Sequence, residues 1–379
     1  MTKAMYVSVG NVAKKAIKLY YGVGDKAKRV KKMYIGVGGV AKLFFEAQKE
    51  LTKVTSGFSH LNNYTRSGAS TTVGNYAIFA GGYGGSNSGI IAGATAYNAS
   101  LTRSTPTSLS TARVNLTATT VGNYALFAGG RSTNDTSGTV FTVVDAYDTS
   151  LTRSSATVLQ QGRYNLASTT VGNYALFGGG RDNTYSWKSM DAYNTSLTRS
   201  NATGLSYSSI ALASTTVGNY ALFGGGVGSV YYATVNTYNT SLTKSTTTDL
   251  SIARSDLTAT TVGNYAIFAG GGASSVATSN ADAYNSSLTK VNVSPLSVGR
   301  WMLSSTCVGN SYAMFVAGTA GGSYYDTVDT YDTSLTKGTA TPLTRGKYGV
   351  VSTNIGNYAL FGGGSDGGIW NTLEVYKYD

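Results

Sequence analysis

The sequence predicts an all-β protein: a seven-bladed β-propeller preceded by a small N-terminal module of short strands. The first observation is a repeated string, Gly-Asn-Tyr-Ala, whose copies follow one another at intervals of 45 to 50 residues. That period fits a propeller blade of four strands. The second is composition: charged residues make up 12% of the chain, and it holds 48 glycines, which suits short strands joined by tight turns. The copies begin at Gly74, Gly122, Gly172, Gly218, Gly263 and Gly356, and a Gly-Asn-Ser-Tyr-Ala variant begins at Gly309.

One repeat shows how each blade is expected to form. Residues 115–121 alternate as a first strand, a Gly-Asn turn follows, and residues 124–128 form a second strand that ends in a glycine pair. A variable loop at 131–139 leads to a third strand at 143–147. An Asp-Thr-Ser turn then precedes a fourth strand that is predicted to start at Leu151. These turn residues are typical of hairpins.

An apolar strand that ends in a glycine pair, followed by a variable loop and a tyrosine, resembles the kelch motif. Kelch repeats usually carry a tryptophan in the fourth strand, where this sequence has leucine. The resemblance covers residues 51–379 and implies a kelch-like propeller. The glycine pairs are Gly81-Gly82, Gly129-Gly130, Gly179-Gly180, Gly225-Gly226, Gly271-Gly272 and Gly363-Gly364, with Ala317-Gly318 in the sixth unit. The tyrosines are Tyr97, Tyr147, Tyr193, Tyr238, Tyr284, Tyr331 and Tyr376, and the leucines Leu101, Leu151, Leu197, Leu242, Leu288 and Leu335.

The two ends of this region predict how the ring closes. The seventh unit stops at Asp379 after its third strand, whereas Leu51-Thr52-Lys53 matches the Leu-Thr-Arg/Lys string at the fourth strand of other units. We therefore expect the N-terminal strand of the domain to complete the last blade, which leaves no long unpaired edge. The propeller domain is assigned to residues 51–379.

Residues 1–50 form a different, basic module with 11 Lys and Arg against 3 Asp and Glu. Tyrosines recur every 14 residues, and Gly10-Asn11, Gly24-Asp25 and Gly38-Gly39 read as hairpin turns, so we expect a small β-meander. The module is similar to Tyr-x-Gly-Val-x-Gly-Val-Ala repeats in phage and prophage structural proteins of Gram-positive hosts, of the tail-fibre or baseplate type. This resemblance implies docking to a virion, and nucleic-acid binding is the less favoured alternative. The candidate docking residues are Tyr6, Tyr20, Tyr34, Lys14, Lys28 and Lys42.

The repeats differ from one another mainly in the loop between the second and third strands. Because the first–second and third–fourth turns repeat almost unchanged, the face that carries the variable loops is the expected recognition face. Aromatic side chains on these loops are candidates for stacking on sugar rings or anchoring an interface, although they could also cap the core of their own blade. They are Tyr83, Tyr185, Trp187, Tyr231, Tyr324, Tyr325 and Trp370.

A basic residue stands at the start of the first strand in five blades. Blade 4 has Ser209 there, and blade 1 has Thr65 beside Arg66. We expect these basic residues to ring the central channel on the variable face, where they would attract an anionic wall polymer. The alternative is that each one bonds carbonyl groups between blades. The residues are Arg113, Arg163, Arg254, Arg300 and Lys347.

The sequence gives little support for catalysis, so we expect neither an enzyme nor a bound cofactor or metal. His60 is the single histidine and Cys307 the single cysteine, which excludes a multi-histidine metal site or relay. A carboxylate pair could still cleave glycosides. Four candidate carboxylates lie on or near variable loops, and nothing in the sequence pairs them. They are Asp135, Asp182, Asp326 and Asp366.

Together these features predict a non-enzymatic virion protein of a phage or prophage, present in many copies. The N-terminal module would dock to other virion proteins, and the propeller would bind a host-surface glycan or protein as a receptor-binding protein or adhesin. With no signal peptide or apolar spanning segment in the sequence, we expect assembly in the host cytoplasm without membrane insertion. The alternatives are a capsid or tail decoration protein with a mainly structural propeller, a glycan-cleaving enzyme and an intracellular adaptor.

Overall fold

The structure is a computed structural model, and it describes residues 50–63, 65–84, 89–135 and 137–379 with their side chains. Before these, it describes the backbone of 5–9, 12–16, 20–23, 26–29, 32–37 and 40–46. Every regular element in these residues is a β-strand. Backbone contacts group residues 1–51 with Asp379 in one compact unit and residues 52–378 in a second.

The N-terminal unit contains three hairpins, and each is a separate two-stranded antiparallel sheet. The predicted meander is therefore a series of hairpins. The predicted turn residues Gly10-Asn11, Gly24-Asp25 and Gly38-Gly39 lie outside the described part of the chain. The paired strands are Met5–Val9 with Val12–Ala16, Tyr20–Val23 with Lys26–Arg29, and Lys32–Val37 with Val40–Glu46.

The second unit is built from seven four-stranded antiparallel sheets, the blades. In blades 5 and 6 the second–third loop adds a two-residue hairpin, at Gly272–Ala273 with Val276–Ala277 and at Thr319–Ala320 with Ser323–Tyr324. The blade strands are Ala69–Val73, Tyr76–Ala80, Ala94–Asn98 and Arg103–Ser104 in blade 1; Thr117–Val121, Tyr124–Ala128, Val144–Tyr147 and Arg153–Ser155 in blade 2; Ala167–Val171, Tyr174–Gly178, Met190–Asn194 and Arg199–Ala202 in blade 3; Ala213–Val217, Tyr220–Gly224, Val235–Asn239 and Lys244–Thr247 in blade 4; Thr258–Val262, Tyr265–Ala269, Ala281–Asn285 and Lys290–Val291 in blade 5; Ser304–Val308, Tyr312–Val316, Val328–Asp332 and Lys337–Thr339 in blade 6; and Val351–Ile355, Tyr358–Gly362, Leu373–Tyr378 and Leu51–Val54 in blade 7.

In blades 1 to 6 the fourth strand begins two residues after the leucine at which it was predicted to start. In blade 2 it starts at Arg153, while Leu151 lies in the preceding turn with φ of 65°. Asp148 Oδ1 accepts hydrogen bonds from the backbone N–H groups of Ser150 and Thr152, and this Asx turn holds the leucine in the left-handed conformation. The leucine side chain packs against the core that blade 2 shares with blade 1.

The first strands line the inside of the ring. Each contacts the first strands of both neighbouring blades, and the first strand of blade 7 contacts that of blade 1. Hydroxyl groups join them: Thr71 Oγ1 lies 2.9 Å from Thr120 Oγ1, and Thr119 Oγ1 lies 2.9 Å from Thr170 Oγ1. The Thr-rich first strands of the repeats are thus explained by a polar inner wall.

The hydrophobic core lies between adjacent blades. Phe177 and Tyr193 of blade 3, both fully buried, pack with Leu126 and Val144 of blade 2. Burial of one such side chain contributes about 1.5–3 kcal/mol. The Phe–Tyr pair is edge-to-face in every blade, with ring centroids 5.6–6.2 Å apart. This accounts for the recurring tyrosine of the third strand.

Each of these tyrosines also ties down a loop. The Tyr193 hydroxyl donates a hydrogen bond to the Thr157 carbonyl oxygen at 2.8 Å, and the other six blades repeat the bond. We predict that Tyr193→Phe lowers the free energy of unfolding by about 1–2 kcal/mol, because the Thr157 carbonyl loses its donor. Denaturant unfolding measures this loss. Tyr174→Phe in the same blade is the control, and an equal loss in both variants would contradict the assignment.

The glycine pair explains how one blade docks on the next. Gly130 N–H donates to the Arg163 carbonyl at 2.9 Å, and the series closes where Gly364 N–H donates to the Thr65 carbonyl at 2.8 Å. Gly129 has φ of +68°, and a Cβ there would lie 2.4 Å from the Arg163 carbonyl oxygen, so a side chain is excluded by both conformation and space. In blade 5 the pair at this position is Gly270-Gly271, one residue earlier than the sequence suggested.

The predicted ring closure is confirmed. Leu51–Val54 is the fourth strand of blade 7 and neighbours Leu373–Tyr378. Lys53 Nζ lies 2.9 Å from the buried Glu374 carboxylate and donates a hydrogen bond to the Pro342 carbonyl at 2.7 Å. The last blade therefore has the same four-stranded form as the others.

Candidate ligand-binding face

The basic residues predicted to ring the channel do not reach it, so this expectation is wrong. Arg113, Arg163, Arg254, Arg300 and Lys347 are all 0% exposed. Burying a cation without a partner is very costly, and each one faces an acidic side chain of its own blade. The pairs are Arg113–Asp145 at 2.8 Å, Arg163–Asp191, Arg254–Asp282 at 2.8 Å, Arg300–Asp329 at 2.9 Å and Lys347–Glu374 at 3.8 Å.

Blade 2 shows how this buried pair is satisfied. The Asp145 carboxylate accepts hydrogen bonds from Arg113, from Arg153 on the fourth strand at 2.8 Å and from the backbone N–H of Ser110. Arg113 also donates to the Phe127 carbonyl at 3.0 Å, so the carbonyl contact that the sequence left as an alternative is present, within the blade. Burial lowers the pKa of Arg113, and the Asp145 carboxylate opposes that shift. The arginine is therefore a structural group.

The acidic partner of the third strand was missed in the sequence, although a signal for it was present. Blade 4 replaces the basic residue with Ser209 and has Asn236 on its third strand, and blade 1 has Thr65 and Thr95 at the same two positions. The cation and the carboxylate are thus present or absent together. Comparison of the repeats at both positions would have predicted an ion pair.

The channel mouth is instead ringed by another residue of each blade. It stands two positions after the predicted basic residue, or after Ser209 and Thr65 in blades 4 and 1. These seven residues form a closed series of backbone hydrogen bonds, in which each N–H donates to the carbonyl of the preceding blade at 2.9–3.4 Å. All have φ between 52° and 65°. Their side chains differ although their backbones repeat, so the ring combines a fixed frame with variable chemistry. The residues are Ser67, Asn115, Asn165, Ala211, Asp256, Met302 and Gly349.

A cavity of about 700 Å³ opens at this ring. The variable second–third loops contribute Arg131 and Tyr324 to its wall, whereas Asn115, Asn165 and Asp256 come from the ring itself. Within the part of the chain that the structure describes, the side-chain amides of Asn115 and Asn165 make no hydrogen bonds. Burial raises the pKa of Asp256, although a hydrogen bond from the Ser255 hydroxyl acts in the opposite direction. Two amides and one carboxyl group, all able to bind the hydroxyl groups of a ligand, thus line an open cavity.

Arg66 forms an aromatic cluster at the rim of this cavity. Its guanidinium carbon lies 5.2 Å from the ring centroid of Tyr83 and 5.4 Å from that of Tyr348, and it donates a hydrogen bond to the Tyr348 hydroxyl at 2.5 Å. Tyr324, 40% exposed, stacks on Tyr348 with ring centroids 5.6 Å apart. The predicted loop residues Tyr83 and Tyr324 therefore meet at one site.

The other predicted aromatics lie elsewhere on the same face. Tyr231 lines a cavity of about 320 Å³ together with Trp301, and this cavity shares Asp256 and Met302 with the central one. Tyr325 is half-buried, and its backbone N–H donates to the Gly318 carbonyl at 2.9 Å. The remaining three, Tyr185, Trp187 and Trp370, lie on the loops of blades 3 and 7.

Three of the four candidate carboxylates bond within their own loops. Asp135 accepts from Ser137 and Thr133, and these hydrogen bonds lower its pKa. Burial alone would raise the pKa of Asp182 and of Asp366. Hydrogen bonds from donors in the same loop outweigh this effect and lower both pKa values, and Arg345 also lowers that of Asp366. No group of three potential metal-ligating side chains occurs in the described residues. In the same residues, no helix is long and apolar enough to cross a membrane.

The predicted docking residues fall on the N-terminal hairpins. Their backbone belongs to the six strands there, and their side chains lie outside the described part of the chain. These residues are Tyr6, Tyr20, Tyr34, Lys14, Lys28 and Lys42.

Comparisons with known proteins support the fold. No protein-family model matches the chain, and no curated protein matches it. A solved structure titled "Structure of YjhT" is similar with a TM-score of 0.58 and 15% sequence identity, covering 76% of this chain and 100% of that chain. A likeness at this identity shows the fold alone. The chain has the fold of a seven-bladed β-propeller.

Proposed function

We propose that this protein is a non-enzymatic binding protein whose variable face recognises a saccharide. The observation that carries the proposal is the cavity of about 700 Å³ at the ring of seven channel-mouth residues. Its wall changes from blade to blade, while the inner threonines, the Phe–Tyr pairs and the glycine pairs repeat. A rigid frame with one variable, concave surface is typical of recognition.

The side chains at this cavity suit a sugar. Asn115 and Asn165 offer amide donors and acceptors, and the Tyr324–Tyr348 stack offers an aromatic surface beside them. Since the five buried cations are neutralised inside the blades, they add little attraction for an anionic wall polymer. Arg66 and Arg131 are the cations at this cavity, and Asp256 adds a carboxylate. A largely neutral host-surface glycan is therefore the preferred ligand.

The biological setting that we propose is a phage or prophage virion. It rests on the resemblance of residues 1–50 to repeats in phage and prophage structural proteins. The N-terminal hairpins would attach the protein to the particle, with many propellers facing the host. Multiple copies would convert weak saccharide binding into firm attachment.

A glycan array and whole host cells test the binding proposal. We expect the protein to bind a host-surface saccharide, and the double variant Asn115→Ala/Asn165→Ala to weaken binding about tenfold or more, since each lost polar contact costs about 0.5–1.5 kcal/mol. The matched control is Asn123→Ala/Asn173→Ala, which changes the same residue type in the same blades at the opposite end of the first strands. Equal binding by both double variants would contradict the proposed site.

Two other results would favour a different function. Absence of binding to host surfaces, even when the protein is displayed in many copies, would favour a decoration protein with a structural propeller. Release of reducing sugar from a bound glycan, abolished by Asp256→Asn or by a loop Asp→Asn change, would favour a glycan-cleaving enzyme.

A further inference from the structure

A further cavity, of about 520 Å³, lies beside the variable loop of blade 3. The second–third loop of blade 3 supplies Tyr185, Trp187 and Lys188 to its wall, and the preceding loop supplies Gln160 and Gln161. It shares no lining residue with the central cavity. It is therefore a separate candidate site on the variable face.

Trp187 is held rigidly at this cavity. Its indole Nε1–H donates to Asp182 Oδ2 at 3.1 Å, and Asp182 Oδ1 accepts the backbone N–H groups of Thr184 and Tyr185. Tyr185 packs edge-to-face on the indole at 6.3 Å and is itself 65% exposed. An aromatic platform fixed in this way loses little conformational entropy when it binds a ligand.

The corresponding tryptophan of blade 7 is covered. Trp370 Nε1–H donates to Asp366 at 2.7 Å, much as Trp187 donates to Asp182. The Arg345 guanidinium carbon, however, lies 3.7 Å from the centroid of the Trp370 ring, and Arg345 also pairs with Asp366. Within the described residues no cation lies over Trp187. Blade 3 thus leaves its platform open, and blade 7 makes a natural control.

Positive charge is left unpaired beside this platform. In five other blades the cation of the fourth strand pairs with the buried carboxylate of the third. Blade 4 has Asn236 instead, and Lys244 donates only to Ser206 Oγ at 3.1 Å. Burial and the nearby Lys188 ammonium both lower the pKa of Lys244. Across the described residues, neither Lys188 nor Lys244 forms an ion pair.

We propose that this cavity binds an acidic saccharide, a sugar ring that carries a carboxylate or phosphate group. The sugar ring would stack on Trp187 and Tyr185, the Gln160 and Gln161 amides would bind its hydroxyl groups, and the anionic group would face Lys188. This site goes beyond the central cavity, which has no unpaired lysine on its wall. A site of this kind would let the variable face distinguish acidic from neutral saccharides.

Calorimetric titration of the full chain tests this proposal. The probes are an oligogalacturonide, a neutral galacto-oligosaccharide of equal length and a glycerol-phosphate oligomer, which separate carboxylate, neutral and phosphate ligands. We expect an acidic probe to bind more tightly than the neutral one. Trp187→Ala should weaken its binding about tenfold, and Lys188→Gln about threefold with a shallower salt dependence.

Trp370→Ala and Asn115→Ala/Asn165→Ala are the controls and should leave the affinity for the acidic probe unchanged. Because Lys188 is exposed, Lys188→Gln tests the site even if Trp187→Ala disturbs the loop. Tighter binding of the neutral probe, or acidic binding that survives Trp187→Ala and Lys188→Gln but is lost in the Asn115/Asn165 double variant, would overturn this site. The second of those results would leave the proposed function of the central cavity intact.

Discussion

Asp145→Asn is expected to lower the free energy of unfolding by about 3–5 kcal/mol, because it leaves the buried Arg113 guanidinium without a counter-charge. The substitution keeps the size of the side chain and an oxygen that can accept the Ser110 N–H. Arg113 and Asp145 are both 0% exposed in their side chains, so water cannot replace the lost partner. Thermal and denaturant unfolding measure the effect.

The double variant Arg113→Ser/Asp145→Asn provides the sharper test. It copies the neutral pair that blade 4 already has at Ser209 and Asn236. Removing both charges should recover at least about 1 kcal/mol relative to Asp145→Asn alone, because no fully buried ion is then left unpaired. Arg153, which also pairs with Asp145, has a side chain that is 24% exposed and keeps access to water. A double variant whose destabilisation equals the sum of the two single variants would show that the two side chains do not act as a pair.

Deletion of residues 1–54 is expected to destabilise the propeller by at least about 3 kcal/mol, because blade 7 loses its fourth strand and Glu374 loses Lys53. The strand Leu373–Tyr378 would then present an unpaired edge, and such edges promote association between chains. Calorimetry measures the stability, and light scattering on a size-exclusion column measures the association.

Deletion of residues 1–49 is the matched control. It removes almost the whole basic module and keeps Leu51–Val54. We expect this shorter deletion to change the unfolding midpoint of the propeller little and not to increase association between chains. If the two deletions behave alike, the strand Leu51–Val54 does not close the ring.

Much of the fold could be predicted from the sequence because the information is local and repeated. The Gly-Asn turns, the strand Tyr124–Ala128 and the period of 45 to 50 residues define hairpins that repeat at the length of a propeller blade. The string Leu51-Thr52-Lys53 showed the closing strand because it copies a string present in the other units. The variable loops were likewise evident from comparing the repeats with each other.

Comparing the repeats could point to the pairing of the basic residue with an acidic one, but not to which residue of each blade faces the channel. Arg113 and Asn115 are two residues apart, and in a regular strand such residues face the same side. Asn115 has φ of 58°, which turns the chain, so the asparagine reaches the channel mouth and the arginine enters the blade. The partner of the arginine, Asp145, lies 32 residues further along the sequence on the third strand.

The sequence by itself therefore determined the number of blades, the closure of the ring and the face that varies, since these depend on turn residues and repeat length. Only the tertiary structure decided which polar residues are buried and which are open to a ligand. That outcome depends on charge pairing across a blade, as with Arg113 and Asp145. It also depends on whether a cation lies over an aromatic ring, as Arg345 lies over Trp370, whereas no cation of the described residues lies over Trp187.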